Sequence, residues 1–179
     1  MKTRILVTLA LATLLALVTG TAIAGTVRTP FTGTTWVIDE NWDDVRFWEP
    51  GRNMHWRDVL ILSQIDATDP RISGLICWMH NGDYRPSADD PCFGSEGTMH
   101  GTVHIEQDGD LDCWNAVDGW EGTFVGLRHP NGLETFEMNV KGFGKYAGLQ
   151  ARFHEASTGC WGDQEVLQIE GEITDPGGN

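Results

Sequence analysis

Tyr146, Gln150, Arg152 and His154 recur at even spacing along one stretch, and Gln168 and Glu170 do the same near the end of the chain. In a β-strand successive side chains alternate between faces, so each set would share one face. If those faces line an enclosed interior, they make a polar pocket with His154 and Glu170 as an acid–base pair, beside Tyr146 and Arg152 as further catalytic candidates and Gln150 as a ligand contact. If they face water, they are the solvated side of a half-buried strand. The opposite phase of the first stretch, Ala147, Leu149, Ala151 and Phe153, reads as a core face.

Other groups carry weaker chemistry. His100 and His104 share a strand face with Glu106, but two residues four apart on a strand sit about 13 Å apart, too far for one metal ion. Asp108, Asp110 and Asp112 look like a fragment of a calcium loop. The twelfth position of such a loop falls on Gly119 rather than on a glutamate, so a hairpin turn with solvated carboxylates is the better reading. No cofactor is expected. Among the 8 tryptophans, Trp42 and Trp48 sit between acidic residues and Pro50-Gly51. They are expected to be exposed and available to stack on a sugar or an apolar ligand. The chain has no serine-hydrolase elbow, phosphate-binding loop, dinucleotide fingerprint or zinc-protease helix.

The elements that must position these groups read as strands. Thr98–Glu106 alternates cleanly, with Met99, Gly101, Val103 and Ile105 on one side. Thr34–Ile38, Val59–Leu62, Ile72–Met79, Leu111–Trp114, Thr123–Leu127, Glu134–Val140, Tyr146–His154 and Val166–Ile173 are further strand candidates. Asp39–Asn53 and Asn81–Phe93 read as loops. Asn131-Gly132 predicts a type I′ hairpin turn, and Asp108-Gly109 is a second hairpin signal. Gly142, Gly144 and Gly148 predict bends in a third strand of the Gly119–Leu149 stretch. Strands at short spacing, with glycine-driven curvature, point to an all-β protein: a small antiparallel barrel of about eight strands with no substantial helix after the leader.

The glycine and aromatic pattern of Gly119-Trp-Glu-Gly122 and Gly142-Phe-Gly-Lys-Tyr-Ala-Gly-Leu149 resembles secreted bacterial barrels of the allene-oxide-cyclase-like and dirigent-like type. Asp69-Pro-Arg-Ile-Ser-Gly74 is a weaker echo. The resemblance covers about the C-terminal third. It implies a barrel, and an isomerase or cyclase as one activity such a barrel could host. It assigns no catalytic residue here.

Met1–Ala24 reads as a secretory leader: Lys2 and Arg4, the apolar run Ile5–Val18, then Ala22-Ile23-Ala24 as the cleavage site. The expected product is a single domain, residues 25–179, in the periplasm or outside the cell, with no stable membrane insertion. Removing Lys2 and Arg4 from 12 basic residues leaves 10 against 26 acidic ones, a net charge of −16. That field argues against nucleic acid and anionic membranes as partners. Cys77, Cys92, Cys113 and Cys160 are an even set in an exported chain, which argues for two disulfides. Cys77–Cys92 would close a short loop between neighbouring strands, leaving Cys113–Cys160. The leading functional expectation is a barrel that binds a small or apolar ligand. The alternatives are the isomerase or cyclase and a surface module that uses calcium or its tryptophans. Oligomeric state is not legible.

Overall fold

The computed structural model describes residues 25–41, 43, 46–49, 53–86, 95–107, 114–158 and 166–177. The leader, Trp42, Asp108, Asp110, Asp112, Cys92, Cys113 and Cys160 lie outside them. The strands are β1 (Val27–Asn41), β2 (Arg46–Trp48), β3 (Met54–Ala67), β4 (Gly74–Pro86), β5 (Ser95–Glu106), β6 (Gly119–Arg128), β7 (Glu134–Phe143), β8 (Gln150–Ser157) and β9 (Val166–Asp175). From β2 to β9 each strand pairs antiparallel with the next in sequence, and β1 pairs with both β9 and β3. The result is a closed eight-stranded up-and-down barrel. The three-residue β2 continues the edge of β3 beyond β1. No helix among the described residues is long and apolar enough to cross a membrane.

Closure occurs along Gly33–Trp36, where β1 is paired on both sides at once. Alternation then sorts every strand into an inner and an outer phase. Phe124 of β6, Phe136, Met138 and Val140 of β7, and Leu167, Ile169 and Ile173 of β9 point inward and are buried. Inward glycines make room for neighbouring rings. A Cβ on Gly101 would meet the Met79 carbonyl oxygen at 1.9 Å and the Phe124 ring at 2.7 Å; one on Gly126 would meet the Phe136 ring at 2.6 Å.

Several local expectations change. β1 runs on to Asn41 and β2 lies within Asp39–Asn53, so that segment is partly strand. β4 extends to Pro86, through the first half of the expected Asn81–Phe93 loop. Trp114 lies in a turn, and residues 111–113 are outside the described set. The β6–β7 turn is not type I′. Gly132 has φ 79, but Asn131 is not at positive φ. Gly132 N–H bonds to His129 O at 2.8 Å, and His129 N–H to Leu133 O at 2.9 Å. This is the three-residue pattern of a type I turn followed by a left-handed glycine, and Pro130 in its first central position explains the preference. The third strand expected in Gly119–Leu149 is instead a short 3-10 turn, Gly144–Tyr146, with Gly144 at φ 59 beside Asp118. Lys145 N–H donates to Asp118 Oδ1 at 2.7 Å and holds that turn against the preceding connection.

Gly101→Ala should destabilise the protein, because backbone rather than a flexible side chain occupies the new methyl's space. The expected cost is about 2 kcal/mol, a fall in Tm of about 4–8 °C for a domain of this size. Thermal denaturation by circular dichroism measures it. An unchanged midpoint would contradict the β4–β5 register.

Candidate ligand-binding site

The inner phase of β8 runs Ala151, Phe153, Glu155, and the third of these is a carboxylic acid in a core position. Glu155 is 0% exposed. Its Oε1 accepts a hydrogen bond from the Thr35 hydroxyl of β1 at 2.9 Å, and its Oε2 has no partner among the described residues. An ionised carboxylate costs several kcal/mol or more in such surroundings without a cation. Burial accordingly pushes the Glu155 pKa up to about 8, with the Thr35 hydrogen bond pulling slightly the other way. At neutral pH the group keeps its proton.

β4 lies opposite β8 in the ring, four strands away in either direction. Its inner phase carries Trp78 and His80, both buried. Trp78 packs edge-on against Phe124, with ring centroids 5.0 Å apart. His80 lies among the rings of Trp56 and Phe124, at 5.9 and 5.6 Å. Neither His80 nitrogen nor Trp78 Nε1 has a hydrogen-bond partner among the described residues. Burial, with a smaller contribution from His100, drives the His80 pKa down to about 3. The imidazole is therefore neutral.

These groups line one cavity of about 40 Å³. At about 10–15 Å³ for each water, it holds about three waters or the narrow end of a ligand. Thr35, Ser63, Trp78, His80, Glu134 and Glu155 supply its polar atoms, and Val37, Ile61, Phe136 and Leu167 its apolar wall. It lies towards the barrel end that carries the β6–β7 turn. There Arg128 and Glu134 form an ion pair at 2.7 Å, both nearly buried. Burial pushes the Glu134 carboxyl upward in pKa, and Arg128 pulls it down. The guanidinium also lies 5.9 Å from the Tyr84 ring centroid. The opposite end is filled. Trp120 Nε1 and Gln107 Nε2 both donate to the Arg71 carbonyl at 2.6 Å, and Tyr146 OH donates to Gln107 Oε1.

The structure separates the residues that strand spacing suggested. Tyr146 is not on a strand. It is buried in the 3-10 turn at the filled end, stacked on Trp120 with centroids 5.4 Å apart. Gln150 and Arg152 point outward and are exposed, as is Glu170. His154 also lies on the outer face, where its Nδ1 is 3.0 Å from Glu137 Oε1, with Glu170 beside it in register. The His154–Glu170 pair thus lies on the outer face, where with Glu137, Arg152 and Glu172 it borders an open surface groove rather than the barrel interior. Trp48 is 42% exposed, stacked on His55 at 5.2 Å with Arg57 over its ring. His55 Nδ1 and Arg57 both contact Asp83 Oδ1 at 2.6 Å. Among the described residues, no cluster of three or more His, Cys, Asp or Glu could hold a metal ion. Cys77 is buried beside Leu75.

Sequence reasoning missed Glu155 and His80. The signal for Glu155 was present: it continues the phase of Ala151 and Phe153, so it had to face the core. His80 follows the inward Trp78 by two residues and was hidden only by ending the strand at Met79. No family model matches the chain, and a search of curated proteins finds no match.

The two buried groups tilt stability in opposite directions with pH. Glu155 titrates at about 8 when folded against an ordinary 4.5, so between those values the folded state holds a proton that the unfolded chain releases. Its contribution is complete below about pH 4.5 and is lost as pH rises to 8. His80 titrates at about 3 against 6.5, so its contribution is present above pH 6.5 and is lost as pH falls. Only Glu155 of the two acts from pH 6.5 to 8. Glu155→Gln should therefore flatten the decline in stability over that interval by about 1–2 kcal/mol, measured by urea denaturation at stepped pH. Parallel curves for the two proteins would contradict a protonated Glu155.

Proposed function

We propose that this protein is an exported, disulfide-bonded barrel that binds a small, largely apolar molecule in the cavity between β4 and β8. The observation that carries the reading is the unpartnered Glu155 Oε2, fully buried and facing a cavity that also receives unpartnered donors from Trp78 and His80. Native interiors pair their buried polar atoms with few exceptions. A cluster of such exceptions around one small cavity marks where an outside group completes the hydrogen bonds. The apolar wall of Val37, Ile61, Phe136 and Leu167 suits the remainder of the molecule.

Binding ranks ahead of an isomerase or cyclase. A histidine with a pKa of about 3 is a poor proton acceptor near neutral pH, and the Glu134 carboxylate in the lining is engaged by Arg128, so the Glu155 acid has no matched base among the described residues. The resemblance of Gly119–Gly122 and Gly142–Leu149 to secreted allene-oxide-cyclase-like and dirigent-like barrels supports the export reading, as does the leader-like Met1–Ala24. The β4–β5 register sets Cys77 opposite His104, nine residues along β5 from Ser95, about 30 Å at about 3.3 Å per residue. The three residues from Ser95 back to Cys92 span about 10 Å at most, so the expected Cys77–Cys92 bridge is out of reach. The proposed bridges are Cys77–Cys113, since Trp114 beside Cys113 packs on His104 with centroids 4.6 Å apart, and Cys92–Cys160. Peptide mapping of the secreted protein under non-reducing conditions should find those two pairs and Gly25 at the N-terminus. Free thiols or another connectivity would overturn that part.

For the cavity, the test is a titration of ¹⁵N-labelled protein with methylenecyclopentane, followed by NMR. The expected result is saturable shifts centred on the Trp78 indole N–H and the backbone of Ser63, Phe136 and Glu155. Absent shifts, or shifts spread over the outer face, would overturn lumen binding.

A further inference from the structure

Resting on that reading of the cavity, we infer that the ligand is uncharged and presents a carbonyl oxygen to the Glu155 carboxyl, with its apolar body against Phe136 and Leu167. Three observations converge on this class.

The first is the division of labour within Glu155. Oε1 is engaged by the Thr35 hydroxyl, so the acid proton resides on Oε2, the oxygen that no described residue contacts. A protonated carboxyl with a free O–H is a donor in search of an acceptor. The matching ligand atom is an acceptor oxygen, and a ligand donor would find Oε2 already protonated. Burial, which raises the Glu155 pKa to about 8, keeps it in that form at neutral pH.

The second is the sign of the remaining polar atoms. Trp78 Nε1 is a donor only, and one nitrogen of a neutral His80 is another. The unpartnered set is therefore rich in donors, which again selects an acceptor on the ligand.

The third is the absence of a counter-ion. No lysine or arginine is among the described residues that line the cavity. Arg128, at the same end of the barrel, is paired with Glu134. A carboxylate or phosphate ligand would enter an uncompensated low-dielectric site. A cation would meet a carboxyl that is neutral. What remains is a neutral molecule, and the narrow cavity favours a flat oxygen-bearing tip such as a ketone, aldehyde or lactone.

Three probes of one shape separate the possibilities: cyclopentanone, methylenecyclopentane and cyclopentanecarboxylate, each titrated at pH 6.5 into ¹⁵N-labelled protein. The ketone should bind about tenfold more tightly than the hydrocarbon, the worth of one buried hydrogen bond. The carboxylate should bind at least about a hundredfold more weakly than the ketone. Glu155→Gln should retain the preference for the ketone through its amide N–H, and Glu155→Leu should abolish it while leaving hydrocarbon binding in place. Equal affinity for ketone and hydrocarbon, or tighter binding of the carboxylate, would overturn this inference and leave lumen binding standing. Failure of all three probes to reach the cavity would overturn both.

Discussion

Between Gly33 and Trp36 the first strand is hydrogen-bonded to β9 on one side and to β3 on the other. That double pairing turns a nine-membered meander into a closed barrel and removes the exposed edges a sheet of this length would otherwise carry. It also fixes the fate of every inward residue. Once the ring is closed, an inward side chain has no route to solvent except through an end, and polar atoms there must be satisfied by other inward groups. Thr35 sits in the closing seam itself, fully buried, and its hydroxyl reaches over the inner face of β9 to Glu155 on β8.

The two ends of the barrel answer that constraint differently. At one end Trp120, Gln107, Tyr146 and the Arg71 carbonyl form a connected set in which each polar atom has a partner, and large rings occupy the space between them. At the other, the charged pair Arg128–Glu134 neutralises itself, while Glu155, His80 and Trp78 keep donors that no described residue accepts around a small cavity. Both titratable groups in that second cluster are held in their neutral forms by burial, from opposite directions on the pH scale. The cavity at the end that carries the β6–β7 turn is close to neutral.

Much of the architecture was legible because the physics that builds a barrel is periodic. Thr98–Glu106 alternates every second residue and forms most of β5, and the inward glycines mark where rings from the next strand lie across the backbone. Turns were less legible. Asn131-Gly132 reads as a two-residue hairpin, but Pro130 fixes the preceding φ and shifts the turn by one residue. Tyr146 shared the spacing of Arg152 and His154 without sharing their strand, because Gly144 at φ 59 and Gly148 at φ 94 take the chain out of extended structure between them. The site was harder still. Polar residues on a strand are ordinarily outward, so the eye goes to Gln150, Arg152 and His154, which are indeed on the outer side of the barrel. The informative residue is the polar one out of place, Glu155 in the phase of Ala151 and Phe153.

The neutrality of the cavity depends on the protonation state of one carboxyl. Infrared difference spectroscopy of the wild-type protein against Glu155→Gln at pH 6.5 reads it directly. A protonated Glu155 adds a carboxylic-acid C=O stretch that disappears in the variant and converts to carboxylate bands only as the pH is raised through about 8. If the difference spectrum at pH 6.5 shows carboxylate bands instead, Glu155 is ionised inside the barrel, and the neutral, donor-rich cavity described above is wrong.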